Sequence, residues 1–170
     1  LQNVADNGLE DKIEVRLANG LAAFDSSDAI SCITIAGMGG RLIADILAAG
    51  LEKLASVSRL VLQPNNREDE LRAWLVAHDF RIVDEAILEE NDKFYEILVV
   101  EHGSQDLTAK ELRFGPHLIL EQAPAFVQKW SKEVEKLAFA LEQVPVENQS
   151  ARASLEERIA QIKEVLHASK

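Results

Sequence analysis

Cysteine is almost missing from this chain: Cys32 is the only one in 170 residues. A single thiol excludes an internal disulfide framework and a cysteine-built metal cluster. Its place between Ser31 and Ile33, inside an apolar run, predicts a buried core thiol, the usual fate of a free cysteine. Histidine is also sparse. His78, His102, His117 and His167 have no pair at metal-ligand spacing, so no metal is expected. No uninterrupted apolar stretch nears the roughly 20 residues that cross a bilayer. With no leader-like pattern at Leu1, a soluble cytoplasmic protein without a membrane partner is expected. Positive charge is in deficit, with 18 Lys and Arg against 29 Asp and Glu, a net charge of −11. Taken alone, that balance disfavours nucleic acid, because phosphates need clustered cations.

The charge is unevenly spread. Residues 1–103 carry 9 basic and 19 acidic side chains, whereas residues 104–170 carry 9 and 10. The shift marks a domain boundary near Gly103. Hydrophobic residues form 47% of the chain, enough for a sizeable core. The first part reads as strands alternating with helices. Gln2 to Asn7 is a helix tail closed by Asn7-Gly8. Lys12–Leu17, Ile30–Ala36 and Arg59–Gln63 are strands. Helices run from Gly40 to Ala49 and from Glu68 to His78, with Leu71, Trp74 and Leu75 on one face. Phe80–Ile87 and Phe94–Glu101 form a closing antiparallel pair around the acidic turn Glu89 to Asp92. This alternation predicts a mainly parallel α/β sheet with an edge hairpin.

Beyond Gly103 the period changes to that of helices. Ser104 or Asp106 is a candidate N-cap, and Pro116 and Pro124 divide short segments. Phe126, Trp130, Val134, Leu137 and Leu141 form one apolar stripe, and Leu155, Ile159, Ile162 and Leu166 a second. The polar link Pro145 to Ser150 makes the two helices antiparallel neighbours. They form either a projecting hairpin of coiled-coil type or a cover over a sheet face.

Two strand ends carry the chemistry. Ile33 to Ile43 contains Ala36-Gly37-Met38-Gly39-Gly40, a strand running through glycines into a helix. Glycine here serves a tight turn or lets a ligand approach the backbone. No acid ends the next strand, as a dinucleotide fingerprint requires, and no Gly-Lys-Ser/Thr follows. The next strand ends in Gln63-Pro64-Asn65-Asn66. These amides either cap the following helix, through Asn65 or Asn66, or hydrogen-bond a planar heterocycle. Hydrolysis has no Gly-x-Ser-x-Gly elbow to support it. On the helical part, Lys129, Lys132 and Lys136 share a face, either a solvated surface or an RNA contact.

Arg16 to Leu21, Ile33 to Gly40, Leu62 to Asn66 with Leu71-Arg72-Trp74-Leu75, and Lys93-Phe94-Tyr95-Glu96-Ile97 together resemble the bacterial tRNA (adenine-22-N1)-methyltransferase family. The resemblance runs through residues 1–103 in order and spacing, and the helical part is similar to that family's coiled-coil domain. It implies a Rossmann-like class I methyltransferase sheet over residues 1–103, then a helical coiled-coil domain over 104–170. The family's Asp-x-Gly motif and ribose-binding acid are not found here. The sheet is therefore expected to be partial, lacking its N-terminal βα units, with one exposed edge. This chain as written is expected to be inactive. The implied cofactor is S-adenosyl-L-methionine, held at Asn19, Gly20, Ala36, Gly37, Met38, Gly39 and Gly40. The implied catalytic positions facing the base are Gln63, Pro64 and Asn65. The implied partner is tRNA, modified at position 22 in the D-arm, with Lys129, Lys132 and Lys136 contacting it and the full-length protein a monomer. Adenine N1 carries an in-plane lone pair and can attack a sulfonium methyl directly, so positioning suffices without a strong base. The alternatives are a non-catalytic RNA-binding or interaction module, or a small-molecule methyltransferase.

Overall fold

The computed structural model describes residues 2–168. Four strands form one sheet in the order β1-β2-β4-β3: β1 is Cys32–Met38, β2 Arg59–Pro64, β3 Phe80–Glu90 and β4 Lys93–His102. β1 and β2 are parallel, and β4 inserts antiparallel between β2 and β3. The β3–β4 hairpin is tight. Asn91 and Asp92 both have positive φ, 53° and 62°, which suits a two-residue turn between right-twisted strands. The hairpin closes one edge of the sheet, as expected, with β4 paired to β2 and β3 outermost.

The helices α1 (Gln2–Asp6), α2 (Gly40–Ala49), α3 (Leu51–Leu54) and α4 (Glu68–Ala77) belong to the first part. Ile43 and Leu47 of α2 and Leu71 and Leu75 of α4 pack on Leu60, Leu62, Leu98 and Val100 of the sheet, all fully or almost fully buried. Trp74 completes the face, as its spacing predicts, but stays half-buried and stacks on His78. On the alternate strand positions Val61, Ile97 and Val99 are only half-buried.

Several sequence expectations are corrected. Lys12–Leu17 forms no strand and is exposed, because no neighbouring strand offers it a ladder among the described residues. Cys32 is exposed rather than buried, since β1 is an edge strand whose residues are mostly open to solvent. Neither Ser104 nor Asp106 caps a helix. Thr108 does, in a reciprocal box with Glu111, at the start of α5 (Ala109–Phe114). Arg67, at φ +54°, occupies the N-cap of α4 without a side-chain cap, so Asn65 and Asn66 are left for other tasks.

After α6 (Leu118–Glu121), α7 (Pro124–Gln143) and α8 (Gln149–His167) form the antiparallel pair that the two apolar stripes require. Phe126, Trp130, Leu137, Ile162 and Val165 are buried together with Phe114 and Leu118. The pair packs against β3, where Ile87 joins its buried cluster.

Candidate functional site

The ends of β1 and β2 are laced together by hydrogen bonds. Gly37, at φ +78°, sits in a break of the β1–β2 register between Ala36 and Met38. Its N–H donates to Gln63 Oε1 at 2.8 Å. Asn65 N–H donates to the Met38 carbonyl at 2.7 Å, and Gly40 N–H to the Asn66 carbonyl at 2.9 Å. A backbone N–H only donates, so it identifies the Gln63 atom facing it as the oxygen. Gln63 Nε2 then donates to the Pro64 carbonyl at 2.9 Å and to Asn65 Oδ1 at 3.1 Å. Both Gln63 donors are consumed. Asn65 has its oxygen turned inward and its Nδ2 turned away. That Nδ2 makes no hydrogen bond among the described residues, and Asn65 is exposed whereas Pro64 is buried.

The glycines divide by cause. Gly40 is buried, and a Cβ there would strike the Arg67 carbonyl oxygen, so its missing side chain serves chain packing rather than an open ligand wall. A Cβ on Gly39 would meet Asn66 Oδ1 at 3.0 Å. Gly37, unlike Gly39 and Gly40, has open space beside it, and only its φ demands glycine. Asn19 precedes a 3-10 turn at Gly20–Ala23, and Gly20 has φ +54°. Lys53 clamps this loop to α3 by donating to the carbonyls of Leu21 at 2.9 Å and Phe24 at 2.7 Å. Arg16 ties the preceding segment down through Asp28, both nitrogen–oxygen contacts being 2.6 Å. That guanidinium holds the Asp28 carboxyl at about 2. The loop and the strand end face a common concavity of about 770 Å³ beside β1, bordered by Gly20, Phe24, Ile33, Ala36 and Met38.

The three lysines have different circumstances. Lys129 is four-fifths buried and bridges Glu96 at 2.7 Å and Glu68 at 3.0 Å. Burial would depress its ammonium, but Glu96 and Glu68 override that and hold it above its usual range. Glu96 also meets Arg72, which is wholly buried and bonds Glu85 as well. Lys129 is thus committed to an ionic cluster joining α4, β3, β4 and α7, and is not a free phosphate contact. Lys132 reaches Asp92 at 3.1 Å over the Phe94 ring, and Lys136 is exposed beside Glu133. All three line one groove that also includes Asn65 and Asn66, so the strand end and the lysine face do converge.

The same groove gathers Arg158 and three residues to which the sequence reading gave no site role, Phe94, Arg113 and Trp130. They come from β4, α5, α7 and α8, and no spacing within one element could have joined them. No cluster of metal-ligating side chains occurs among the described residues, and no described helix is long and apolar enough to cross a membrane. His78, His102 and His117 each have a ring nitrogen against a backbone carbonyl.

Comparison with known proteins matches residues 1–164 to the family model described as tRNA (adenine(22)-N(1))-methyltransferase. The tRNA (adenine(22)-N(1))-methyltransferase of Bacillus subtilis is 37% identical over 97% of this chain and 74% of that protein. Sp1610 of Streptococcus pneumoniae superposes with a TM-score of 0.95 at 63% identity, over 98% of this chain and 75% of that one. Its complex with S-adenosyl-L-methionine gives a TM-score of 0.89 at 62% identity, over 98% and 74%. A Rossmann-superfamily protein from Streptococcus agalactiae gives 0.90 at 58% identity, over 97% and 72%. With a matching family model over nearly its whole length and a relative 37% identical over most of both chains, this chain belongs to the tRNA (adenine(22)-N(1))-methyltransferase family.

Proposed function

We propose that the protein methylates N1 of an adenine in tRNA, position 22 of the D-arm, with S-adenosyl-L-methionine as methyl donor. The observation that carries this reading is the fixed amide pair at the end of β2. The concavity beside β1 suits the cofactor: Phe24 and Ile33 give it an apolar wall, and Gly20 and Ala36 border it. Asn19, Gly20 and Ala36 to Gly39 hold the cofactor there, with Gly40 supporting from beneath. Bound S-adenosyl-L-methionine supplies an activated methyl group.

The chain's own work is positioning. Gln63 turns Asn65 so that its Nδ2 faces outward, while one lone pair of Oδ1 remains free. An amide so presented matches the N6–H and N7 of adenine's Hoogsteen edge. Held by that edge, the base keeps N1 clear. The ring gains positive charge on methylation, and the Asn65 and Pro64 oxygens stabilise it. Gln63 is therefore a positioning residue, and Asn65 touches the base. The target adenine must leave its stack to be reached. We also assign residues 1–103 to the methyltransferase part and 104–170 to a helical domain that meets tRNA. Each has its own buried cluster, although Ile87 of the first part joins the second cluster.

Incubation of the full-length protein with labelled S-adenosyl-L-methionine and an unmodified tRNA transcript tests the reading. Label appears as 1-methyladenine, and an adenine-22→guanine transcript loses it. Label at another position, or only on small molecules, overturns it.

A further inference from the structure

We propose that the groove between the end of β2 and the helix pair holds an RNA phosphodiester through Arg113, Lys136 and Arg158, with Glu133 as an internal stand-in for the phosphate. The proposal rests on the tRNA reading above and names where the backbone of that substrate is gripped. In a chain of net charge −11, this groove is lined by five cations and three carboxylates.

Of those cations Lys129 is spent on buried carboxylates and Lys132 on Asp92. The other three are poorly neutralised. Arg113 has no carboxylate within ion-pair distance among the described residues. It is held by Gln161 Oε1 at 2.8 Å and lies over the rings of Phe114 and Trp130. Burial first, and then the neighbouring charge of Arg158, push its guanidinium below the usual range against the pull of Glu133 and Asp69. Among the described residues Arg158 and Lys136 each reach only Glu133, at 3.5 Å. The Trp130 indole N–H beside them is buried without an acceptor among the described residues.

Two cations sharing one carboxylate at long range, beside a third with none, form a preassembled anion site. An arginine fork fits a phosphate better than a single distant carboxylate does. The aromatic bed of Phe114 and Trp130 fixes Arg113 in place and so reduces the ordering cost of binding. The groove also runs to Asn65 and Asn66, so a phosphate seated here belongs to a nucleotide near the flipped base.

The test is fluorescence anisotropy of labelled tRNA with the protein, across a salt series. Arg158→Gln and Arg113→Gln each weaken binding several-fold and flatten the dependence of log Kd on log salt by about 0.7–0.9. Lys136→Glu, at a highly exposed position where the fold is not at risk, weakens it as well. Glu133→Gln does the opposite: it tightens binding several-fold with thermal stability unchanged, which a merely structural role would not produce. Lys163→Glu, an equal charge reversal outside the groove, has a much smaller effect than Lys136→Glu. Wild-type binding that is undisturbed by the groove variants, or disturbed equally by Lys163→Glu, overturns the proposal while leaving the methyl-transfer reading intact. Absence of any tRNA binding by the wild type overturns both.

Discussion

At the scale of single residues, a shared letter conceals separate causes. The run Gly37, Gly39 and Gly40 was legible in the sequence as a turn at a strand end, but its division of labour was not. Gly40 is small because the Arg67 carbonyl crosses over it, and that neighbour is 27 positions away. Gly40→Ala is expected to lower stability by roughly 1–3 kcal/mol, as overpacking does, read as a fall in Tm. Asn65→Ala is expected to leave Tm alone, since the side chain is exposed, and to reduce kcat/KM by roughly 1–3 kcal/mol for the lost orienting bonds. Equal losses of Tm in both variants would refute this separation. Gln63 was legible as a polar residue near the site. Its role was not, because only the Gly37 N–H, brought across by the register of β1 and β2, reveals which way its amide points.

At the scale of elements, hydrophobic spacing specified α2, α4, α7 and α8 almost to their ends, because each buries one stripe. Caps and ionic contacts escaped it, since they depend on tertiary neighbours. Lys129 shares a helical face with Lys132 and Lys136 in sequence, yet only Lys129 sits over buried Glu96. Lys129→Met is expected to destabilise the protein by roughly 3 kcal/mol, the low end for a broken buried pair, because Arg72 still partners Glu96. Lys136→Met should change Tm little, being an exposed pair. The pH dependence follows from the two shifted groups. Burial raises the Glu68 carboxyl but Lys129 outweighs it, leaving it below its usual 4.5. Its contribution is present above the unfolded value and fades as pH falls through the lowered one. Lys129, held above its usual 10.5, contributes below that value and loses its contribution only as pH rises past its raised one. Thermal melts should therefore show this cluster's contribution as flat from about pH 5 to pH 10 and declining on both sides. A Lys129→Met effect on Tm that varies steeply near pH 7 would contradict the assignment.

At the scale of the whole molecule, the sheet has two unlike edges. β3 closes one edge and β1 the other, and β1 pairs only with β2 among the described residues. The exposed edge was expected from the sequence. Its consequences for Cys32 and for Lys12–Leu17 were not, because alternation alone does not say whether a strand finds a partner. A strand with one free row of N–H and C=O groups, flanked by half-buried Ile33 and Ile35, is a template for another chain. The net charge of −11 opposes that encounter at low ionic strength. Salt shortens the range of repulsion to about 8 Å at 0.15 M and about 3 Å at 1 M. The 170-residue chain is therefore expected to self-associate more as salt rises, seen as a growing weight-average mass in light scattering. Thr34→Lys, which places a charge on the exposed β1 strand, should suppress that growth without altering Tm. Cys32→Ser separates pairing from thiol coupling: growth that persists in it belongs to the strand edge. A mass that is constant from low to high salt, or identical growth in Thr34→Lys, would remove β1 as the associating surface.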